Sequence, residues 1–258
     1  MSQHAAMHPI WQTGAVILFA AVLSALLLQL VAHRILPAML RQEHTELGAA
    51  IFSVIGTTYA VLLAFMATTA WDQHSSAHAL ARHEADLLGE IYGASNGIPD
   101  PLGASVRSDV SAYLTRVINV EWPAQIAGKA LSPIEPLLTH LQQTALSWTP
   151  SNAGQSVIQG DIITKLTDVA TARRDRRLAV DGSIPDLVWV VLLAGGGVMV
   201  GFSYMLGAPT QRMHLLMTAA LVTSGVLILL MIIGLSSPFH GAVTIPPDEY
   251  IAVLAEMQ

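Results

Sequence analysis

Four stretches of the chain are apolar over the length a bilayer demands, and almost every charge falls between them. They are 13–33 (TGAVILFAAVLSALLLQLVAH), 49–70 (AAIFSVIGTTYAVLLAFMATTA), 186–206 (DLVWVVLLAGGGVMVGFSYML) and 213–235 (MHLLMTAALVTSGVLILLMIIGL). Roughly 20 apolar residues in helical form cross the hydrocarbon core, so each stretch predicts one membrane-spanning helix. The four pair into two hairpins separated by a long polar block.

Inside that block the pattern becomes amphipathic at helical spacing. Ala81, Ala85, Leu88 and Tyr92 continue one stripe out of the second span, which predicts a single long helix there. Asn-Gly and two prolines in GASNGIPDPLG then break the chain. Val106, Val110, Tyr113, Val117 and Val120 predict a helix over 102–122, ending at Glu121-Trp122-Pro123 because proline removes a donor and crowds the preceding turn. Ser132-Pro133-Ile134-Glu135 has the form of a capping box with proline at the first helical position. It opens a helix whose apolar face is Ile134, Leu137, Leu138, Leu141, Ala145 and Trp148. A last helix of the block, about 156–180, aligns Ile158, Ile162, Leu166, Val169 and Arg173.

The expectation is an all-α polytopic membrane protein. Its parts are an N-terminal transmembrane hairpin (1–71), a helical domain (72–185), a C-terminal transmembrane hairpin (186–236) and a tail with a short helix (237–258). An even number of crossings puts the central domain and both termini on one side. Arg82, Arg173, Arg174, Arg176 and Arg177 flank that side, against Arg34, Arg41 and Arg212 in the short loops, which favours a cytoplasmic domain in a plasma membrane.

Composition agrees. Of 258 residues, 53% are hydrophobic and only 12% charged, so lipid is the solvent for much of the chain. The first span is read as retained, because no Lys or Arg precedes it and its apolar run exceeds that of a signal peptide. Without cysteine there are no disulfides or thiolate metal sites. A formal charge of -6 gives no basis for nucleic-acid binding.

The chain has no nucleophile elbow, phosphate loop or zinc-protease helix, so an enzyme is not expected and no cofactor is implied. His74 and His78 share a helix face, but without a third ligand no metal site is assigned; their titration near neutral pH is the other reading. Gly195-Gly196-Gly197, with Gly201, reads as a surface for close helix packing. The run Arg173-Arg174-Asp175-Arg176-Arg177 has three readings: pairing with Glu84, Asp86 or Glu90, contact with anionic headgroups, or a collar that attracts anions.

The hydroxyls of the second span carry the functional question. Ser53, Thr57, Val61, Ala64 and Thr68 form a small, weakly polar stripe, and Ile55, Tyr59, Leu62 and Met66 form a neighbouring bulky one. Periodicity leaves two readings open. The stripe is either a close-packing surface or the wall of a pore, with hydroxyls at wet levels and an apolar constriction at Val61 or at the bulky ring. Four helices cannot pack and also enclose a pore, so a pore requires an oligomer.

A series of motifs then bears on the choice. In order they are Tyr59 to Phe65 (YAVLLAF), Glu84-Ala85-Asp86-Leu87-Leu88 with Ile91-Tyr92, and Glu121-Trp122-Pro123. Ala172 to Leu178 (ARRDRRL), Ile184 to Trp189 (IPDLVW), Gly201-Phe202-Ser203-Tyr204 and Ser237-Pro238-Phe239-His240-Gly241 complete the series. It resembles the bacterial bestrophin-like membrane family, over nearly the whole chain from residue 45 onward.

Bestrophins proper are pentameric ion channels with four spans per subunit, and their second span lines the pore. The resemblance therefore implies a homo-oligomer, a pentamer, in a bacterial inner membrane, with self, lipid and inorganic ions as partners. On it, Ser53, Thr57, Val61, Ala64 and Thr68 become the first candidate wall, and Ile55, Tyr59, Leu62 and Met66 the alternative face or gate. Pro238-Phe239-His240-Gly241 has one residue more than the Pro-Phe-Gly motif of that group, and Ala242 to Pro247 stands where animal bestrophins carry an acidic calcium clasp. Calcium gating is not expected. A second span without basic residues argues against chloride selectivity, and the acidic balance leans toward monovalent cations, weakly selected. The competing reading is a non-conducting membrane scaffold or sensor whose helical domain binds a partner protein.

Overall fold

The structure, a computed structural model, describes residues 8–35, 45–128, 135–181, 184–207, 210–239 and 243–257. Among them the regular elements are all helical. They are α1 (His8–Ile35), α2 (Thr45–Ala94), α3 (Leu102–Arg116), α4 (Trp122–Ile126), α5 (Glu135–Ser147), α6 (Ala153–Asp181), α7 (Asp186–Ser203), α8 (Gln211–Leu235) and α9 (Asp248–Glu256). A 3-10 turn, Ser95–Gly97, follows α2, and a π-turn, Val117–Glu121, joins α3 to α4. The helices form two compact units, one drawn from residues 1–72 and 183–236, the other from 73–182 and 237–258.

The first unit holds α1, the start of α2, α7 and α8, four helices long and apolar enough to cross a membrane. A helix closes its backbone hydrogen bonds within one segment, the condition hydrocarbon imposes. The outer surfaces are bare apolar side chains, such as Phe19, Val54, Phe65 and Leu193. A small apolar core is buried at Leu63, Ala70, Ile184, Leu192, Ile232 and Leu235. The α1 helix packs along α8, and α7 also packs against α8. The long second helix expected from the stripe is present as α2, whose 50 residues run from the first unit into the second.

The second unit has the larger core. Ala81, Ala85 and Leu88 of α2, Val106, Val110 and Tyr113 of α3, Leu138, Leu141 and Ala145 of α5, and Ile162, Leu166 and Val169 of α6 are buried together. These are the inward positions the spacing predicts. Ser132, Pro133 and Ile134 lie outside the described residues, and α5 begins at Glu135. Asp248 and Glu249 occupy the first turn of α9, where the helix dipole favours them.

One expectation needs correction. The helix after Leu102 does not stop at Glu121-Trp122-Pro123 but continues to Ile126 through the π-turn, closed by a bond from the Trp122 amide to the Val117 carbonyl. Proline falls in the first turn of α4, where the widened winding accommodates its missing donor. The extra residue also rotates the end of the turn and the start of α4. Val120, inward on a straight helix, is 46% exposed, and Glu121 and Trp122 are buried in its place. A Val120→Glu variant is therefore expected to unfold within about 0.5 kcal/mol of the wild type, as surface changes do. Val117→Glu, which puts an unpaired charge in the core, should cost several times more in the same denaturant titration.

Candidate functional site

On α2 the two predicted stripes meet different surroundings. Ser53, Thr57, Val61, Ala64 and Thr68 are all exposed on the subunit. Ile55, Tyr59, Leu62 and Met66 are half-buried, and Tyr59, Leu62 and Met66 pack on the small core of the first unit. At about 100° per residue the stripes centre on roughly opposite sides of the helix, so they are not neighbours.

Tyr59 shows what holds the inner side. Its hydroxyl donates to the Leu192 carbonyl at 2.9 Å, and its ring lies over the glycine run of α7. A Cβ at Gly195 would come within 2.8 Å of that ring, and one at Gly196 within 2.9 Å of the hydroxyl. The run does serve packing, but by admitting an aromatic side chain rather than a second backbone. Gly197 and Gly201 have open space around the position of a Cβ.

The threonine hydroxyls are answered within their own helix. Thr57 donates to the Ser53 carbonyl at 2.8 Å, Thr58 to Val54 at 3.0 Å, Thr68 to Ala64 at 2.9 Å and Thr69 to Phe65 at 2.9 Å. Each back-bond satisfies the donor without a neighbouring helix. The oxygen lone pairs stay directed outward, so each exposed hydroxyl is an acceptor and no longer a donor.

The second unit holds a different kind of chemistry, a cluster of charges removed from water. Arg176 is wholly buried between α2, the π-turn, α4 and α9. It donates from Nε to Glu84 Oε2, from Nη2 to Glu121 Oε1 and from Nη1 to Gln125 Oε1, each at 2.7 Å. Arg173, one turn earlier on α6, donates to Glu121 Oε2 at 2.6 Å, and the Tyr113 hydroxyl to Glu84 Oε1 at 2.8 Å. Two guanidinium groups thus face two carboxylates and balance. Trp122 and Tyr250 flank Arg176, with its Cζ 5.3 and 5.9 Å from their ring centroids, a cation–π arrangement. Phe239, from Ser237-Pro238-Phe239, packs edge-on against Trp122, and the indole N–H of Trp122 donates to the Ile245 carbonyl at 3.0 Å.

The arginine run therefore divides. Arg173 and Arg176 point inward, while Arg174, Asp175 and Arg177 are exposed. Of the carboxylates the sequence suggests as partners, only Glu84 joins the cluster. Asp86 sits 3.6 Å from Arg82, and Glu90 pairs with Lys165 at 2.7 Å. Glu121 escaped the sequence reading because a straight helix puts it beside the inward stripe. Its place next to a tryptophan and a proline was the available signal. His78 lies 3.8 Å from Glu249, and among the described residues no three metal-ligating side chains gather.

The motifs that converge here can be set against known proteins. The profile of the bestrophin-like domain matches residues 19–250. The chain belongs to the bestrophin-like family. No curated protein matches it. Among solved structures, a variant of a bacterial bestrophin homologue from Klebsiella pneumoniae is 16% identical, covering 93% of this chain and 97% of its own, with a TM-score of 0.70. A structure described as a membrane protein variant aligns with the same identity, coverage and score. Another Klebsiella pneumoniae variant is 17% identical with a TM-score of 0.67. At such identities the likeness establishes a shared fold, and with it an all-α membrane protein of bestrophin-like architecture.

The charge balance of the cluster in this bestrophin-like chain can be tested directly. Removing Arg176 alone leaves two buried carboxylates to one guanidinium, so Arg176→Met should cost about 3–5 kcal/mol. Adding Glu84→Gln restores the balance, with Glu121 still paired to Arg173, and the double variant should be more stable than the single one in the same unfolding titration.

The tyrosines of the cluster respond to pH. Burial, and next to it the Glu84 carboxylate, pushes the Tyr113 and Tyr250 hydroxyls well above the ordinary phenol range. A proton held more tightly in the folded state stabilises it fully below the unfolded phenol value of about 10, and that stabilisation is lost as pH rises further. The melting temperature should fall above about pH 10, less steeply in a Tyr113→Phe/Tyr250→Phe variant.

Proposed function

We propose that this bestrophin-like protein forms a homo-oligomeric ion channel, a pentamer, whose pore is walled by the Ser53, Thr57, Val61, Ala64 and Thr68 face of α2. The observation that carries this is the difference between the two sides of one helix. One side is engaged through Tyr59, Leu62 and Met66 within the subunit, and the other presents small residues that the described part of the chain leaves exposed. In lipid a small face gains little from exposure to tails and gains from approach to other helices or to water. Five such faces around an axis would provide hydroxyl levels at Ser53, Thr57 and Thr68 and an apolar level at Val61 that gates by dewetting.

Weak selectivity for monovalent cations follows from the hydroxyl chemistry. Thr57 and Thr68 have committed their protons to backbone carbonyls, so the atoms they offer a permeant ion are acceptor oxygens. These replace part of a cation's hydration shell and repel an anion. With no fixed charge on the face, discrimination is modest. The bacterial inner membrane and a cytoplasmic second unit belong to the same proposal, as does the division into hairpins at 1–71 and 186–236, a helical domain at 72–185 and a tail at 237–258.

Reconstituted protein is expected to be oligomeric and to pass K⁺ and Na⁺ faster than Cl⁻. Thr57→Leu should reduce the current several-fold. Val61→Glu should raise the preference for cations, and Val61→Lys should reverse it. Unchanged currents in all three variants would remove this face from the pore. A monomer would end the channel reading, and an oligomer without flux would favour a scaffold that recruits a partner protein.

A further inference from the structure

The apolar run of α2 ends at Trp71-Asp72, and Asp72 is the first charged group past the hydroxyl face. It stands one turn beyond Thr68, about 6 Å further along the axis, in the i to i+4 relation that makes two side chains neighbours on a helix. Ala70 is 0% exposed and marks the side of α2 that its own subunit covers. Two residues turn a helix by about 200°, so Asp72 points away from that side, and it is exposed.

Its want of a partner sets Asp72 apart from the later carboxylates of α2. Glu84 meets Arg176 at 2.7 Å, Asp86 lies 3.6 Å from Arg82, and Glu90 pairs with Lys165 at 2.7 Å. Asp72 has no ion pair or hydrogen bond among the described residues. The next formal charge along the helix, Arg82, is about 15 Å further on and is offset by Asp86. A lone carboxylate at the end of a span is costly against hydrocarbon and is tolerated where water reaches it.

We infer that Asp72 is a selectivity-determining residue of the pore proposed above: five such carboxylates ring its mouth, one turn past Thr68, and concentrate hydrated cations there. The inference rests on that pore. The wall offers acceptor oxygens and no formal charge, so the field at the mouth is what enriches cations over anions before they enter. Such a field is screened by salt, with a Debye length of about 30 Å at 0.01 M and about 3 Å at 1 M. Contact with hydroxyl oxygens inside the wall is not screened in this way, so salt separates the two contributions. Like charges around one axis also repel, and the ring therefore opposes assembly in dilute salt.

The test compares the full-length protein with Asp72→Asn, Asp72→Glu and Asp72→Lys in liposomes at about 0.01 M and about 1 M KCl. In dilute salt Asp72→Asn should lower the preference for K⁺ over Cl⁻ several-fold, Asp72→Glu should keep it and Asp72→Lys should turn it toward Cl⁻. In concentrated salt the four should converge. A second readout needs no current. The solubilised oligomer of Asp72→Asn should dissociate at a higher temperature than the wild type in dilute salt, and at the same temperature in concentrated salt. An unchanged ion preference in Asp72→Asn, with Thr57→Leu still reducing the current, would overturn the inference and leave the pore standing. So would a dissociation temperature that ignores the substitution in dilute salt, since charges on the outside of the oligomer are too far apart to repel. No flux from any of the proteins would remove the pore, and the role of Asp72 with it.

Discussion

Polar groups that leave water have to be answered from within the protein, and both units of this chain are organised by that requirement. In the first unit the solvent is hydrocarbon, so Thr57, Thr58, Thr68 and Thr69 of α2 turn their protons back onto their own helix, and Tyr59 reaches the Leu192 carbonyl of α7. The second unit has its own dry interior, and there a full charge is the group at stake. Arg176 uses Nε, Nη1 and Nη2 on three different side chains, and Glu121 is shared with Arg173. Such a cluster is weak evidence for net stability, because desolvation opposes it. It does fix the relative placement of α2, α6, the π-turn and α4, since few other arrangements bring three side chains to Arg176 and set Glu121 between both arginines.

The π-turn answers to the same demand for partners. A straight helix would point Val120 at the core and leave Glu121 at its edge. One extra residue in the turn brings the carboxylate under both arginines and seats Trp122 against Arg176, Phe239 and Tyr250. The bestrophin-like motifs that are far apart in the chain, around Glu84, Glu121, Arg176 and Phe239, are parts of this one cluster.

The functional reading depends instead on an asymmetry along α2. Its inner side is anchored by a tyrosine seated on glycines, which limits how far that side can rotate away from α7. Its small side is exposed among the described residues. A helix held firmly by one flank and bare on the other is suited to line a shared axis, and this supports the pore proposal without any charged residue in the wall.

Much of this was legible in the residues themselves. Four apolar runs of membrane length and the stripes of the polar block determine the helices, because burial in lipid or in a core imposes a period that one sequence displays. The positions Val106, Val110, Tyr113, Ile162, Leu166 and Val169 are inward for that reason alone. The partners of charged groups were less legible. Asp86 and Glu90 are as acidic as Glu84, and only packing decides that Glu84 meets Arg176 while the others find Arg82 and Lys165. The winding at Val117–Glu121 reversed the roles of Val120 and Glu121, because local spacing carries no signal of an inserted residue. Whether the two stripes of α2 face the subunit or turn away from it is a property of neighbours distant in sequence. Periodicity constrains one helix at a time, whereas the pairing of buried polar atoms is settled only when the helices come together.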